Sequence, residues 1–500
     1  MRGSLIALTL IFLAGSGAAA QSPAPSAAAG PVRCHRATST ANADAQASFD
    51  DGLTLLYAYN PEESRRSFER ASRLDPAFAM AWWGIAMSHG VNINTGYDAA
   101  EQQRAHDAIV KAQTLETKAS EVERGFIEAA AVRFKYTGAK DADRSARAYR
   151  DAMKAFADKY PLDDDAQTLA AEAELDVHPW SFFQRDGTPV GDMPGAIERL
   201  ETVLARSPHH LGANHFIIHA LEESPHPERA LPAADYLASI VLEPAAEHLI
   251  HMPAHAYMRA GRYHDAGVAN ARAIAAYRVY LASNPAGHSD YFGHDCVFGV
   301  EAFLMSDENA RAHELAAACA RNGASMAELI DLRFHRWDAL ESDDSLGSFA
   351  LGMFAVARGH LPAAKVQLSS LRGASDTVAS IESSVLAAAL ARAGGNHDDE
   401  ITALEHAVTA EDGTWYSEPP RFFYPVRESL GAAQFRAGRY ADAEATFRAD
   451  LERNPDNPRS LFGLAQTLGQ EDRSDDAQAV QKRFAAASRQ ADVPFEMNDL

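Results

Sequence analysis

Apolar and small residues along this chain recur at helical spacing, and the stripes come in pairs. Gly52, Ser64, Phe68, Ala71 and Pro76 punctuate one polar stretch, and Gly431, Ala443, Phe447 and Pro455 repeat the same offsets near the C-terminus. Leu461, Leu464 and Ala477 carry the phase on by one further period of about 34 residues. Intermediate units stand at Gly261/Tyr263/Ala266/Ala273, Gly352/Gly359/Ala364 and Gly395/Leu404/Ala407. Each small residue marks a close approach of two helices, and each large one fills the space between them. A single helical hairpin cannot bury its apolar face alone, so the pattern predicts stacked hairpins with one continuous core. The expected fold is all-α, a right-handed α-solenoid of roughly nine to eleven hairpins. Four insertions break the period, from Gly90 to Tyr97, His178 to Pro194, Asn284 to Tyr291 and Gly413 to Tyr424. Such insertions project from one face and often carry function.

The N-terminus reads differently. Arg2, the apolar run Leu5 to Leu13 and Ala18-Ala19-Ala20 before Gln21 have the order of an export signal with its cleavage site. The expected organisation is a signal peptide over 1–20 and a flexible leader over 21–45, rich in Ser, Pro, Ala and Gly from Gln21 to Pro31. Repeats with a histidine-rich groove follow over 46–310, and repeats continuing the same superhelix over 311–500. The expected location is periplasmic or secreted, with no integral membrane segment after signal cleavage. Lys and Arg number 46 against 69 Asp and Glu, a formal charge of −23. That balance repels phosphate backbones and excludes nucleic acid as a main partner. Only Cys34, Cys296 and Cys319 are present, too few for a disulfide framework; Cys296 and Cys319 fall at core positions, as thiols or as a pair.

The repeat resembles the tetratricopeptide repeat over roughly residues 46–490. Gly52, Ser64, Phe68, Ala71 and Pro76 match its positions 8, 20, 24, 27 and 32, and Trp82 opens the next unit at position 4. Eleven of the 20 histidines lie between His209 and His294. In repeat phase, His215 and His219 occupy positions 5 and 9, and so do His251 and His255 in the following unit, with His248 at position 2. Offsets of 3, 4 and 7 stay within about 60° on one helix face. His215, His219 and Glu222 therefore form one stripe, and His248, His251 and His255 a second. The resemblance implies that both stripes line the concave groove. His294 and Glu301 fall at positions 2 and 9 of the next unit. Imidazoles converging from neighbouring helices are how helical scaffolds build transition-metal sites. The candidate ligands are His215, His219, His248, His251, His255 and His294, with zinc expected first and copper or iron as alternatives. Six histidines exceed one tetrahedral shell, so either two ions bind or some of the six orient the others. Glu222 is the candidate base on a metal-bound water, in a metal-dependent hydrolase; a copper or iron redox protein is the other chemistry. The competing class is a non-catalytic scaffold that takes a protein, a peptide or a small molecule in its groove.

Other residues carry less. Glu172 and Asp176 read as a solvated face, Trp82 and Trp83 as core, and Asn92 and Asn94 as groove lining or turn formers. Trp415, Glu418, Pro419, Pro420, Arg421 and Tyr424 read as a wedge between repeats more readily than as a cover for the groove. No nucleophile elbow, H-E-x-x-H, phosphate loop or dinucleotide fingerprint occurs. Trp82-Trp83-Gly84-Ile85-Ala86-Met87, Asn92-Ile93-Asn94, Asn214-His215, Ile218-His219, the run His248 to His255 and Glu418-Pro419-Pro420 together look like a bacterial group of exported tetratricopeptide proteins. That resemblance, over about Cys34 to Leu468, implies fold and export but no reaction. In one departure, Val297 stands where the group tends to carry a further histidine after His294.

Overall fold

The computed structural model describes residues 30–319, 325–341, 346–414 and 416–500. The signal segment and the first residues of the leader lie outside the described residues. The 25 α-helices among these residues follow one another as antiparallel hairpins, and the sole strand-like feature is an isolated bridge between Phe183 and Pro189. The chain is an all-α solenoid. No described helix is long and apolar enough to cross a membrane.

The repeat phase has a direct steric cause. Phe68 sits between Gly52 and Gly84, where an added Cβ would come within 2.8 and 2.4 Å of its ring. Phe447 sits in the same way between Gly431 and Gly463, at 2.7 and 2.2 Å. Each phenylalanine is thus clasped by the glycines of its own and the following hairpin, and both rings are fully buried. Packing is continuous from repeat to repeat: in the helix Phe292–Met305, Phe298 and Ala302 face the N-terminal core while Cys296, Val300 and Phe303 face the next. Cys296 and Cys319 form a disulfide between the two helices of one hairpin.

The leader is not flexible over its described part. Val32 N donates to Val241 O (2.8 Å), Cys34 N to Thr54 Oγ1 (2.9 Å) and Ser39 N to Glu123 Oε1 (2.7 Å). Arg36 pairs with Asp163 at 2.9 Å and Asp165 at 2.8 Å. Residues 32–42 therefore lie as a strap across several hairpins, and the helix Ala43–Tyr57 begins inside the span expected to be leader. Composition misled here because polar residues that look solvated find fixed partners more than a hundred positions away. Burial opposes the charge of Asp165, yet the His210 hydrogen bond and the Arg36 guanidinium override it and hold the carboxyl below its usual range. A group depressed in the folded state contributes stability above its unfolded pKa of about 3.9 and loses it as pH falls towards the folded value. Asp165→Asn is accordingly expected to flatten the acid limb of stability, read as urea midpoints between about pH 5 and pH 2. An unchanged slope would remove Asp165 from the acid response.

The solenoid also turns back on itself. Tyr263 Oη donates to Pro455 O (2.9 Å), and Gly261, at φ +76°, has no room for a Cβ because the Pro455 carbonyl would stand 2.1 Å away. Arg185 binds the carbonyls of Asp412 and Gly413 at 2.9 and 2.7 Å. These contacts bring the insertion after residue 413 over the histidine-bearing repeats.

Candidate metal centre

Four helices supply the six histidines. His215 and His219 project from Leu211–Glu222, His248 and His251 from Glu247–His251, His255 from Pro253–Arg259, and His294 from Phe292–Met305. The first helix comes close because Gly212 lies against the ring of Tyr57, 2.5 Å from where a Cβ would stand. That approach brings the Tyr57 carbonyl to His215 Nδ1 at 2.6 Å. Pro253 breaks the second pair of helices, and Met252 keeps helical dihedrals across the break, so His251 and His255 stay on one face.

All six expected ligands meet, but in a different grouping from the two stripes. His215, His219 and His248 form one set of three and His251, His255 and His294 another, the ligating atoms of each set lying within 4.8 Å of one another. His248 crosses to the preceding helix because position 2 faces position 5 of the neighbour, which spacing along one helix cannot reveal. His215 Nε2 and His248 Nε2 are 3.2 Å apart, as are His251 Nε2 and His294 Nε2; His251 Nε2 and His255 Nε2 are 2.8 Å apart. The edge of a tetrahedron with metal–nitrogen bonds of about 2.05 Å is about 3.3 Å, close to the two longer separations. Five of the six are at most 3% exposed and His294 is half-buried. His219 Nε2 is buried with no hydrogen-bond partner, a donor-set atom with nothing to bind.

On four of the six the outer nitrogen faces oxygen, whereas His248 Nδ1 is buried without a hydrogen-bond partner. Besides the Tyr57 carbonyl, His219 Nδ1 meets Glu222 Oε1 at 3.0 Å and His251 Nδ1 meets Asn270 Oδ1 at 2.6 Å and Asp295 Oδ1 at 3.3 Å. His255 Nδ1 meets Glu222 Oε2 at 2.7 Å and Glu418 Oε2 at 2.9 Å. Acceptors behind Nδ1 fix the tautomer that leaves Nε2 free to coordinate. Burial first, and neighbouring histidines second, hold His215, His248 and His251 well below the usual range, and His294 down to about 3. His219 is lowered by burial although Glu222 opposes it. Burial thus favours the neutral form of these imidazoles, which is the coordinating one. His255 is the exception: burial opposes its charge, but the Glu222 and Glu418 carboxylates raise it.

Glu222 corrects one expectation. It is 1% exposed, and both oxygens stand behind ring Nδ1 atoms. Those contacts place it behind His219 and His255 rather than before an open ligand position, and with His255 and Glu418 it makes a third group whose ligating atoms lie within 4.8 Å of one another. The insertion after residue 413 is a second correction: Trp415 lies outside the described residues, but Glu418 reaches His255 and so covers the cluster. Glu172 and Asp176 are a third, since they are 6% and 8% exposed and Arg133 Nη2 bonds Asp176 Oδ2 at 2.9 Å. Glu301 is buried but joins neither set of histidines; burial raises its carboxyl well above the usual range.

Sequence reasoning did not assign Asn270, Asp295, Tyr59 or Tyr291. Asn270, a fully buried polar residue among the apolar and small residues of the helix Tyr263–Ser283, was the signal available. Tyr291 stacks on His248 with centroids 4.0 Å apart, and Tyr59 meets His215 at 4.6 Å. Tyr59 sits in a turn at φ 50°, a conformation bulky residues seldom adopt.

No family model and no curated protein matches the chain. Among solved structures it is similar to the yeast Tom70, at 9% identity with a TM-score of 0.28, over 89% of this chain and 92% of that one. It is also similar to the APC/C hetero-tetramer Cut9–Hcn1, at 13% identity with a TM-score of 0.29, over 90% and 94%. The solenoid of stacked helical hairpins rests on this chain's own packing, the phenylalanines clasped between glycines of successive repeats.

Proposed function

We propose that this chain is an exported metalloprotein that holds two transition-metal ions, one on His215, His219 and His248 and one on His251, His255 and His294. The observation that carries this reading is the convergence of the rings: the ligating atoms of each set lie within 4.8 Å of one another, and on four of the six, His215, His219, His251 and His255, an oxygen acceptor stands behind Nδ1. Three protein ligands per ion leave a position open, which is the form of catalytic rather than structural zinc sites and suits activation of water for hydrolysis. Copper and iron accept imidazole equally, so metal identity is the first quantity to measure. The Cys296–Cys319 disulfide supports a periplasmic or secreted location, where such bonds persist.

The test is metal content by mass spectrometry on protein purified without tag or chelator. Two ions per chain are expected, with one lost in His215→Ala and the other in His251→Ala. Absence of metal in the native protein, together with no uptake of added zinc, copper or iron, would overturn the reading.

A second reading has its own observation. Residues 497–499 lie along the C-terminal repeats with their carbonyls bound by Arg436 (2.8 Å), Arg392 (3.0 Å) and Arg459 (3.0 Å), and Leu500 is buried beside them. A surface that binds backbone carbonyls accepts an extended peptide of varied sequence, as a protein-interaction scaffold requires. A competing peptide would displace this segment, read as faster amide exchange at residues 490–500.

A further inference from the structure

A cavity bounded by residues 91–97, by the helices Glu121–Arg133 and Ala142–Lys159 and by the end of Asp164–Leu175 adjoins the histidines without including them. Its volume is about 480 Å³, within the range of small-molecule sites. Trp180 lines it and meets the His219 ring edge-on at 5.6 Å. Asn94 also lines it, with Nδ2 at 3.5 Å from the hydroxyl of Tyr291, the ring stacked on His248. One aromatic wall therefore separates the cavity from the first set of histidines. Trp180 is held there at φ 53°, a conformation that a bulky residue keeps only when its surroundings enforce it.

The polar atoms of this cavity are incomplete. Asp176 Oδ1, Ser145 Oγ and Tyr97 Oη are shielded from water and have no hydrogen-bond partner in the protein, and all three residues line the same space. Ser145 is 6% exposed and Asp176 8%. Buried polar groups are almost always paired, so three orphans facing one cavity point to a ligand that supplies the partners. Asp176 cannot turn away, because its other oxygen is fixed by Arg133, which also binds the Val91 carbonyl. Arg133 and Asp176 cancel each other's charge, and Arg147 and Asp143, which also line the cavity, add one charge of each sign. Beside them burial, with the nearby Asp176 charge, pushes the Glu172 carboxyl up to about 8, so it adds no fixed charge near neutral pH. A floor without net charge, fixed hydroxyl and carboxylate partners and an indole on the wall suit a neutral ligand rich in hydroxyls and bearing an apolar ring face.

We propose that this cavity is a saccharide site, sized for a neutral mono- or disaccharide, with ring hydroxyls on Asp176, Ser145 and Tyr97 and a sugar face on Trp180. Asn92 and Asn94 close the rim. The inference rests on the cavity alone and holds whether or not the histidines carry metal.

The test is calorimetric titration of the purified chain, as isolated and after chelation, with neutral hexoses, N-acetylhexosamines and their disaccharides. Gluconate and glucosamine serve as charged comparators. At least one neutral sugar is expected to bind one to one in both preparations, more tightly than either comparator. Ser145→Ala and Trp180→Ala are each expected to weaken it about tenfold or more, with circular dichroism confirming the fold. No binding by any neutral sugar, or binding indifferent to both substitutions, overturns the proposal. Metal content measured on the same samples separates the two readings: sugar bound without metal overturns the metal centre alone, and metal without sugar overturns this inference alone.

Discussion

Glu222→Gln is expected to loosen two metal ions at once. Each oxygen of Glu222 stands behind a different set of histidines, Oε1 at His219 Nδ1 and Oε2 at His255 Nδ1. An amide keeps the shape but removes the negative charge that both rings face and replaces one acceptor by a donor, so both contacts weaken. Substitution of such outer partners typically lowers metal affinity about 10–100-fold. Asn270→Ala removes an acceptor from His251 alone and is expected to weaken only the second ion. Competition with a chromophoric chelator resolves the two cases as two weakened sites against one. Equal effects of the two substitutions, or none from Glu222→Gln, would deny Glu222 its shared role. The comparison also tests the discarded assignment, because a base facing metal-bound water would impair turnover while leaving both affinities intact.

The histidines themselves were legible from the sequence. Their repetition at positions 5 and 9 of adjacent units follows from the period set by Gly261 and Tyr263, and helical geometry does the rest. The grouping was not legible, since it depends on which positions face each other across two helices: His248 leaves its own stripe for His215, and His294 joins His251. The outer partners were least accessible. One is a backbone carbonyl, that of Tyr57, which no side-chain pattern reports; another, Glu418, lies 163 residues beyond His255 and arrives only because the solenoid turns back at Pro455. Glu172 and Asp176 misled for a related reason. Their spacing is that of an exposed acidic face, and the Arg133 that buries Asp176 lies 43 residues earlier. The solenoid fold was readable because repeats are local; the site was half readable because its closure is not.

A buried ion pair lies at the base of that closure, and breaking it is expected to give the largest loss of stability. Arg333 ends the helix Ser325–Arg333, and Glu428 lies in the first turn of Val426–Arg436. Two hydrogen bonds join them at 2.6 and 3.1 Å, with side chains 3% and 1% exposed. The guanidinium also lies 5.1 Å over the Tyr424 ring, and Asn457 donates to the same carboxylate at 2.8 Å. Arg333→Ala strands the Glu428 charge in the interior, for which about 3–5 kcal/mol is the usual cost. Glu428→Ala strands Arg333 in turn. Arg333→Met with Glu428→Met removes both charges and fills the volume, so it is expected to cost much less than the sum of the single losses. Hydrogen exchange of residues 426–470 reads this locally, as suits a solenoid whose repeats need not unfold together. Additive losses in the double variant would mean that the two charges do not act as a pair. The insertion that carries Glu418 runs directly into the helix that carries Glu428. Arg333→Ala is therefore also expected to weaken the second metal ion, and the double variant to restore it, linking the C-terminal packing to the orientation of His255.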